Sequence, residues 1–413
     1  MYFRYRENRI IMVNLLRKIL KFFAKNILQK YHPEIIGITG SVGKTSTKEA
    51  IFNVLSAKFN VQRTDGNYNN EIGLPLTIIG KKTAGKNVFG WLVIFLSAMK
   101  TILIKDKNYP DILILEMAVD KPGDMDYLLD FIKPTVGVLT RIGPVHLESF
   151  KRQEAILEEK GKLIKKLPQN GFAILNYDYK DVLGMCDVTK AKCITYGTEE
   201  GADVLAKNIL VGRSQTSFSL EYRNKKTSVI ILNSIGRSLV YAVLAGICVG
   251  LAKGMELEKI KESLVNYSAL KGRGELVKGI KNTIFIDESY NSSPQSVEAA
   301  LQNLKNLAGK GRTIAVLGDM LELGNTSKDA HLDIGNKVCE TGINYLLTVG
   351  SRAKDIAKGS EKAGMHKDKI YSFDNNHELG RFLQEKMEEG DTVLIKGSNA
   401  MHMSEIVEEI RAI

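Results

Sequence analysis

Short uninterrupted runs of aliphatic residues alternate along this chain with stretches in which apolar positions recur every three to four residues. Ile35–Thr39, Asp111–Met117 and Val136–Ile142 are each built round a run of the first kind. An unbroken apolar run of that length fits a strand buried on both faces of a parallel sheet, and the longer spacing fits helices packed over it. Residues 172–232 alternate short strands and turns, and Leu239–Ala252 is an alanine- and glycine-rich helix. After a turn at Lys271-Gly272-Arg273-Gly274 the first pattern returns, at Thr283–Ile286, Arg312–Leu317, Tyr345–Thr348, Ile370–Phe373 and Thr392–Ile395. Strands separated by helical stretches predict a second parallel, doubly wound sheet, so the fold class is α/β.

Two helical stretches depart from this plan. From Ile10 to Leu28 apolar residues recur at helical spacing with lysines and arginines between them. That pattern fits a helix lying in a membrane surface, and equally one packed on the protein's own body. Val88–Met99 is a twelve-residue uncharged run. It is too short to cross a bilayer and reads as a buried helix or an interfacial patch.

A length of 413 residues suggests two or three domains. The net charge of +11 is concentrated at the start, where residues 1–30 hold eight basic side chains against Glu7 alone. Nothing downstream resembles a nucleic-acid reader, so an anionic membrane is the better partner for this segment and no nucleic acid is expected. No small-residue cleavage site follows it, which argues against a cleaved signal peptide. The four cysteines form no C-x-x-C pair, so neither a zinc site nor a disulfide framework is expected, and a reducing cytoplasmic compartment fits.

The chemistry starts where the first strand ends. Gly40-Ser41-Val42-Gly43-Lys44-Thr45-Ser46 joins a strand to a helix, the context in which a glycine-rich turn cradles phosphate. Gly37, Gly40 and Gly43 give the spacing G-x-x-G-x-x-G-K-T, because Ile38 stands where the usual motif has glycine. Lys44 can reach the outer phosphates, and the Thr45 hydroxyl is placed to hold magnesium. The polar loop 64–75 brings Asn67, Asn69 and Asn70, which suit turns and could also orient a polar substrate. Glu116 ends a strand, and His146 follows another. By composition alone Lys160, in a charged helix over 154–165, reads as a solvated lysine. In the second sheet, Asp287, Asp319 and Lys396 are expected at one edge by the strand-end rule.

Taken in order, the phosphate loop, Glu116, His146, Lys160, Gly272-Arg273 and Asp287 resemble the Mur ligase family. The stretches 67–75, 286–291, 316–324 and 394–398 resemble the members that add D-alanyl-D-alanine, and the resemblance covers residues 34–413. It implies a central ATP-binding P-loop domain with a mostly parallel sheet (34–271) and a Rossmann-like C-terminal ligase domain (272–413), which follow the basic amphipathic helix read from the apolar spacing and charge of residues 1–33. It also implies an ADP-forming amide ligase of peptidoglycan precursor synthesis that joins the dipeptide to a UDP-linked muramoyl tripeptide through an acyl phosphate. ATP and two Mg2+ ions are the implied cofactors, with Lys160 carrying CO2 as a carbamate. By the same resemblance, Thr45, Glu116, His146 and Lys160 hold metal. Lys44, Lys160, His146 and Arg273 serve catalysis; Gly40, Ser41, Gly43, Lys44, Thr45, Ser46, Arg273, Asp287 and Asn291 bind nucleotide; Asn67, Asn69, Asn70 and Lys396 bind substrate. A cytoplasmic monomer is expected, with peripheral contact to the inner face of the membrane through residues 1–30 and 88–99.

The sequence departs from the family pattern in three ways. Only 33 residues precede Glu34, too few for the usual UDP-gripping domain; Gly236-Arg237-Ser238 replaces an asparagine-bearing helix start near adenine; and Arg141 and Ser293 each stand where asparagine is usual. Other readings are the same ligase chemistry on a lipid-linked acceptor, a P-loop switch or kinase with Lys160 on the surface, and a nucleotide-binding scaffold.

Overall fold

A computed structural model describes residues 2–143, 150, 152–212, 214–265 and 267–412, with backbone only for 2–11, 237 and 238. His146 lies outside the described residues. The chain divides into two compact units, one built from Met1–Pro144, Ser149–Leu205 and Tyr241–Leu264, the other chiefly from Ala206–Val240 and Val265–Ile413.

In the first unit, strands β1 (Glu34–Thr39), β2 (Val61–Arg63), β3 (Ile112–Glu116), β4 (Val136–Leu139), β5 (Phe172–Asn176) and β6 (Lys192–Gly197) pair in the order β2-β3-β1-β4-β5-β6. All of these pairings are parallel. β1, β3 and β4 are buried because β-branched and aliphatic side chains stand on both faces of the sheet. β1 lies between β3 and β4, so the register sets Ile38 beside Glu116 and Thr39 beside Leu139. The carboxyl ends of these three strands therefore form one edge, where α/β proteins bind ligands. Gly37 lies within β1 rather than in the turn. A Cβ there would come within 2.9 Å of Leu163, so its smallness admits the overlying helix.

Helix α1 (Tyr2–Tyr31) belongs to this unit. It buries Leu20, Phe23, Ala24, Ile27 and Leu28 against α3 (Gly73–Ile79), α4 (Val88–Leu103) and α5 (Asp124–Phe131). Phe23 stacks on Phe95 at 5.8 Å, and Tyr31 on Tyr109 at 4.1 Å. One face of the N-terminal helix is thus packed on the protein itself. α4, by contrast, buries only Ile94 and Ala98 fully.

The second unit holds the antiparallel hairpin Gln215–Tyr222 and Lys225–Leu232 and a six-stranded sheet. Numbering the chain's strands through, this sheet comprises β10 (Glu275–Gly279), β11 (Thr283–Glu288), β12 (Thr313–Gly318), β13 (Tyr345–Val349), β14 (Ile370–Phe373) and β15 (Thr392–Lys396), in the order β10-β11-β15-β12-β13-β14. Only β10 runs antiparallel to its neighbour. Successive residues of β12 enter opposite cores. Ala315 and Leu317 belong to the core that holds Leu301, Leu304 and Val338, while Ile314 and Val316 belong to the one that holds Leu383, Ile406 and Ile410. Helices cover both faces, so this is the doubly wound sheet expected from the alternation of strands and helices. Ser293, a departure from the family pattern, caps the helix Pro294–Ala308 in a reciprocal arrangement with Ser296.

Candidate active site

The turn after β1 is shaped by two glycines in conformations that side chains disfavour. Gly40 has φ +148° and Gly43 φ +89°. A Cβ on Gly40 would come within 2.0 Å of the Thr140 hydroxyl, which donates to the Val42 carbonyl at 2.7 Å. Ser41 N–H donates to the Arg141 carbonyl at 2.6 Å, and Ser41 Oγ to the Gly143 carbonyl at 3.1 Å. The turn is therefore anchored to the end of β4 before it enters helix α2 (Lys44–Ser56), whose N-terminus is a site for anions. Lys44 Nζ donates to the Gly40 carbonyl at 2.8 Å, folding over its own loop.

Glu116, at the end of β3, is 2% exposed. Its Oε1 accepts from Thr45 Oγ1 and from Asn69 Nδ2, both at 3.2 Å. Its Oε2 has no hydrogen-bond partner and lies 3.6 Å from Lys48 Nζ. A buried carboxylate oxygen without a donor, beside a threonine hydroxyl at the foot of a phosphate loop, fits a hard divalent cation such as Mg2+. Among the described residues no three His, Cys, Asp or Glu side chains converge as a metal site, so any further ligand must be of another kind or lie elsewhere.

Lys160 lies on α6 (Gln153–Lys165) and is buried, which overturns its reading as a solvated lysine. Its Nζ donates to the Val119 carbonyl at 3.5 Å, just beyond β3. Burial, aided by the positive charge of Lys44, lowers its pKa to about 7 against the opposing pull of Asp120, Glu159 and Asp124. At neutral pH a large share of this amine is uncharged, the form that can add CO2.

The asparagine loop is divided in its roles. Asn69 holds Glu116 through its side chain and accepts from Ala118 N–H through its carbonyl. The side-chain oxygen of Asn70 accepts from the N–H groups of Ile72 and Gly73, a local turn.

In the second unit the carboxyl ends of β11, β15 and β12 lie together, since Lys396 is in register with both Glu288 and Leu317. Asp287 is wholly buried and accepts from the N–H groups of Gly272 at 2.9 Å and Ser289 at 3.0 Å. This holds the turn in which Gly272 has φ +78° and places the Arg273 guanidinium 3.8 Å over the Tyr290 ring. Lys396 Nζ donates to Glu288 Oε2 at 2.7 Å and to the Asn291 carbonyl at 2.9 Å, and Asn291 Oδ1 accepts from Ser292 N–H. Asp319 accepts from the N–H groups of Arg352 and Ala353. A pocket of about 210 Å³ at this end is lined by Gly272, Ser289, Tyr290, Asn399 and His402, of which Asn399 and His402 lie outside the stretches singled out in the sequence. Asp287→Ala should destabilise the second unit by about 3 kcal/mol, and Asp287→Asn by roughly half that, because two buried bonds to a charged acceptor are lost or one is kept. Urea unfolding followed by circular dichroism measures the difference.

Comparison with known proteins bears directly on this geometry. Residues 38–89 and 96–250 match the Mur ligase middle domain, and 272–399 match the Mur ligase glutamate ligase domain. The chain belongs to the Mur ligase family. Among Mur ligases, UDP-N-acetylmuramoyl-tripeptide–D-alanyl-D-alanine ligase of Bacillus subtilis is 30% identical over 404 residues, covering 98% of this chain and 81% of that protein. The Escherichia coli enzyme of the same name is 28% identical, with 93% and 78% covered. A crystal structure of the Mur ligase MurF from Thermotoga maritima in complex with ADP superposes with a TM-score of 0.79 at 27% identity, covering 95% of this chain and 83% of that one.

Sequence reasoning missed Lys48, Thr140 and Tyr290. Lys48 had a signal, because it stands one helical turn after Lys44 and so faces the same strand end. Thr140 had none, since its role depends on β4 lying beside β1.

Proposed function

We propose that the chain is an ATP-dependent, ADP-forming ligase of peptidoglycan precursor synthesis that adds D-alanyl-D-alanine to a UDP-N-acetylmuramoyl-tripeptide. The observation that carries this reading is a buried lysine with a near-neutral pKa, placed at the carboxyl end of β3 with Glu116 and the phosphate loop. A P-loop switch has no use for such an amine, whereas a carbamate on Lys160 would be an anionic oxygen ligand. The relatives' names supply the substrates.

Thr45, Glu116 and carbamylated Lys160 would hold magnesium, with His146 joining them by family resemblance. Bound there, the ions would neutralise charge on the transferring phosphoryl group. An oxygen of the tripeptide's terminal carboxylate attacks the γ-phosphorus of ATP, and ADP leaves. The dipeptide's amino nitrogen then attacks the carbonyl carbon of the acyl phosphate, inorganic phosphate leaves, and the nitrogen loses a proton. Lys44 gives up its bond to Gly40 to meet phosphate oxygens, and the loop's N–H groups orient them. Gly40, Ser41, Gly43 and Ser46 complete the phosphate cradle of the first unit, where Asn67, Asn69 and Asn70 serve the substrates; in the second unit Arg273, Asp287 and Asn291 are assigned to nucleotide and Lys396 to substrate by family resemblance. The enzyme works as a cytoplasmic monomer.

Phosphate release should require ATP, the UDP-linked tripeptide and D-alanyl-D-alanine together. Nucleotide hydrolysis with neither substrate would instead indicate a switch. Faster turnover on a lipid-linked acceptor than on the UDP-linked one would move the assignment to that substrate.

A further inference from the structure

The exposed face of α4 is apolar where a helix at a protein surface is ordinarily polar. Phe89, Leu92, Val93, Leu96 and Leu103 recur at helical spacing along it and are more than half exposed, Phe89 reaching 81%. The opposite face of the same helix packs through Phe95 on Phe23 of α1. α1 and α4 run alongside each other in the same direction, since Phe23 meets Phe95 while Lys30 and Tyr31 reach the carbonyls of Thr101 and Ile104. α1 adds Leu15 and Phe22, both exposed, with exposed Lys18 and Lys25 between and beyond them.

The margins of this apolar ridge are cationic. Lys81, Lys82 and Lys86 precede α4, and Lys100, Lys105 and Lys107 lie at its end, all exposed. Between residues 80 and 110 the sole acidic residue is Asp106. The family match also breaks here, stopping at residue 89 and resuming at 96, and it begins only at 38. Of the ridge, Leu92 and Val93 fall in that gap, and α1 lies before the match begins. No helix among the described residues is long and apolar enough to cross a membrane.

We propose that α1 and α4 together form a docking surface for an anionic lipid bilayer, with the apolar ridge entering the acyl boundary and the flanking lysines meeting lipid phosphates. A helix with an apolar outer face and lysines at its margins is suited to lie in the interface plane, its long cationic side chains reaching the headgroups. Pairing of this face with a second copy of the chain would bring two lysine fringes together with only Asp65, beside Lys82, and Asp106 to offset them, so charge complementarity selects the bilayer. The inference does not depend on the ligase assignment.

Flotation of the full chain with vesicles tests it. With a phosphatidylglycerol–phosphatidylethanolamine mixture at 0.1 M salt the protein should float, and with pure phosphatidylcholine at least tenfold less should do so. Leu92→Glu with Leu96→Glu should reduce binding at least tenfold while leaving thermal unfolding and turnover on soluble substrates unchanged. Lys100→Glu with Lys105→Glu should weaken binding to the anionic vesicles and leave the small phosphatidylcholine fraction unaltered. The proposal is overturned if the wild-type chain fails to float with anionic vesicles, if the double leucine variant floats as well as wild type, or if sedimentation shows a dimer that the leucine substitutions dissociate.

Discussion

At pH 7 in CO2-depleted buffer, Lys160→Met should unfold at a higher temperature than the wild-type chain and show no ligase turnover. The lysine is buried with a pKa near 7, against about 10.5 for the free side chain. Below pH 7 it is protonated in both folded and unfolded chains, and the folded state bears the full cost of burying the charge. As pH rises from 7 to 10.5 the folded protein already holds a neutral amine while the unfolded chain still gains from binding a proton, so the cost shrinks and then vanishes. At neutral pH it is on the order of 4 kcal/mol, which methionine of similar volume avoids. Melting curves at pH 7 and pH 9.5 should show the variant's advantage shrinking at the higher pH. An advantage that persists unchanged would mean that packing, not charge, separates the two proteins. Lys160→Ala should likewise be inactive, and a short carboxylate that replaces the carbamate's oxygens should restore part of its turnover.

Removing Glu116 should have two separable effects. Glu116→Gln keeps an oxygen for Thr45 and Asn69 but loses the charge, and turnover should fall on the order of 10²-fold or more, through weaker metal holding and phosphoryl-charge compensation. Glu116→Ala should in addition cost about 3 kcal/mol of stability, because Lys48, only 1% exposed, keeps Glu49 at 3.5 Å as its remaining counter-charge. Adding Lys48→Met to Glu116→Ala should recover stability without recovering turnover, which denaturant titration and phosphate release would read independently.

Much of this architecture was legible because parallel strands buried on two faces need uninterrupted apolar runs. Ile35–Thr39 and Asp111–Met117 coincide with β1 and β3 to within a residue. The phosphate loop was legible because only glycine tolerates the backbone of Gly40 and Gly43. Gly37 belonged to the same text pattern yet serves close packing, a distinction that needs the helix above it. Lys160 could not be placed by composition, since a charged helix conceals which of its lysines turns inward. Asp287, Asp319 and Lys396 were expected near strand ends and lie there, but the local bonds of Asp287 to Gly272, Asp319 to Arg352 and Lys396 to Glu288 depend on how neighbouring segments fall beside one another. The same holds for α1 and α4, whose periodicity marks apolar positions without saying which of them another element will cover.

The position of β15 has a consequence for synthesis. It is inserted between β11 and β12, two strands made more than seventy residues earlier. Until the ribosome has released Thr392–Lys396, those two strands have no shared neighbour and present open edges. Assembly of the nascent second unit must therefore wait for a segment close to the carboxyl end, and a chain cut before residue 392 would expose surfaces prone to sticking to other chains.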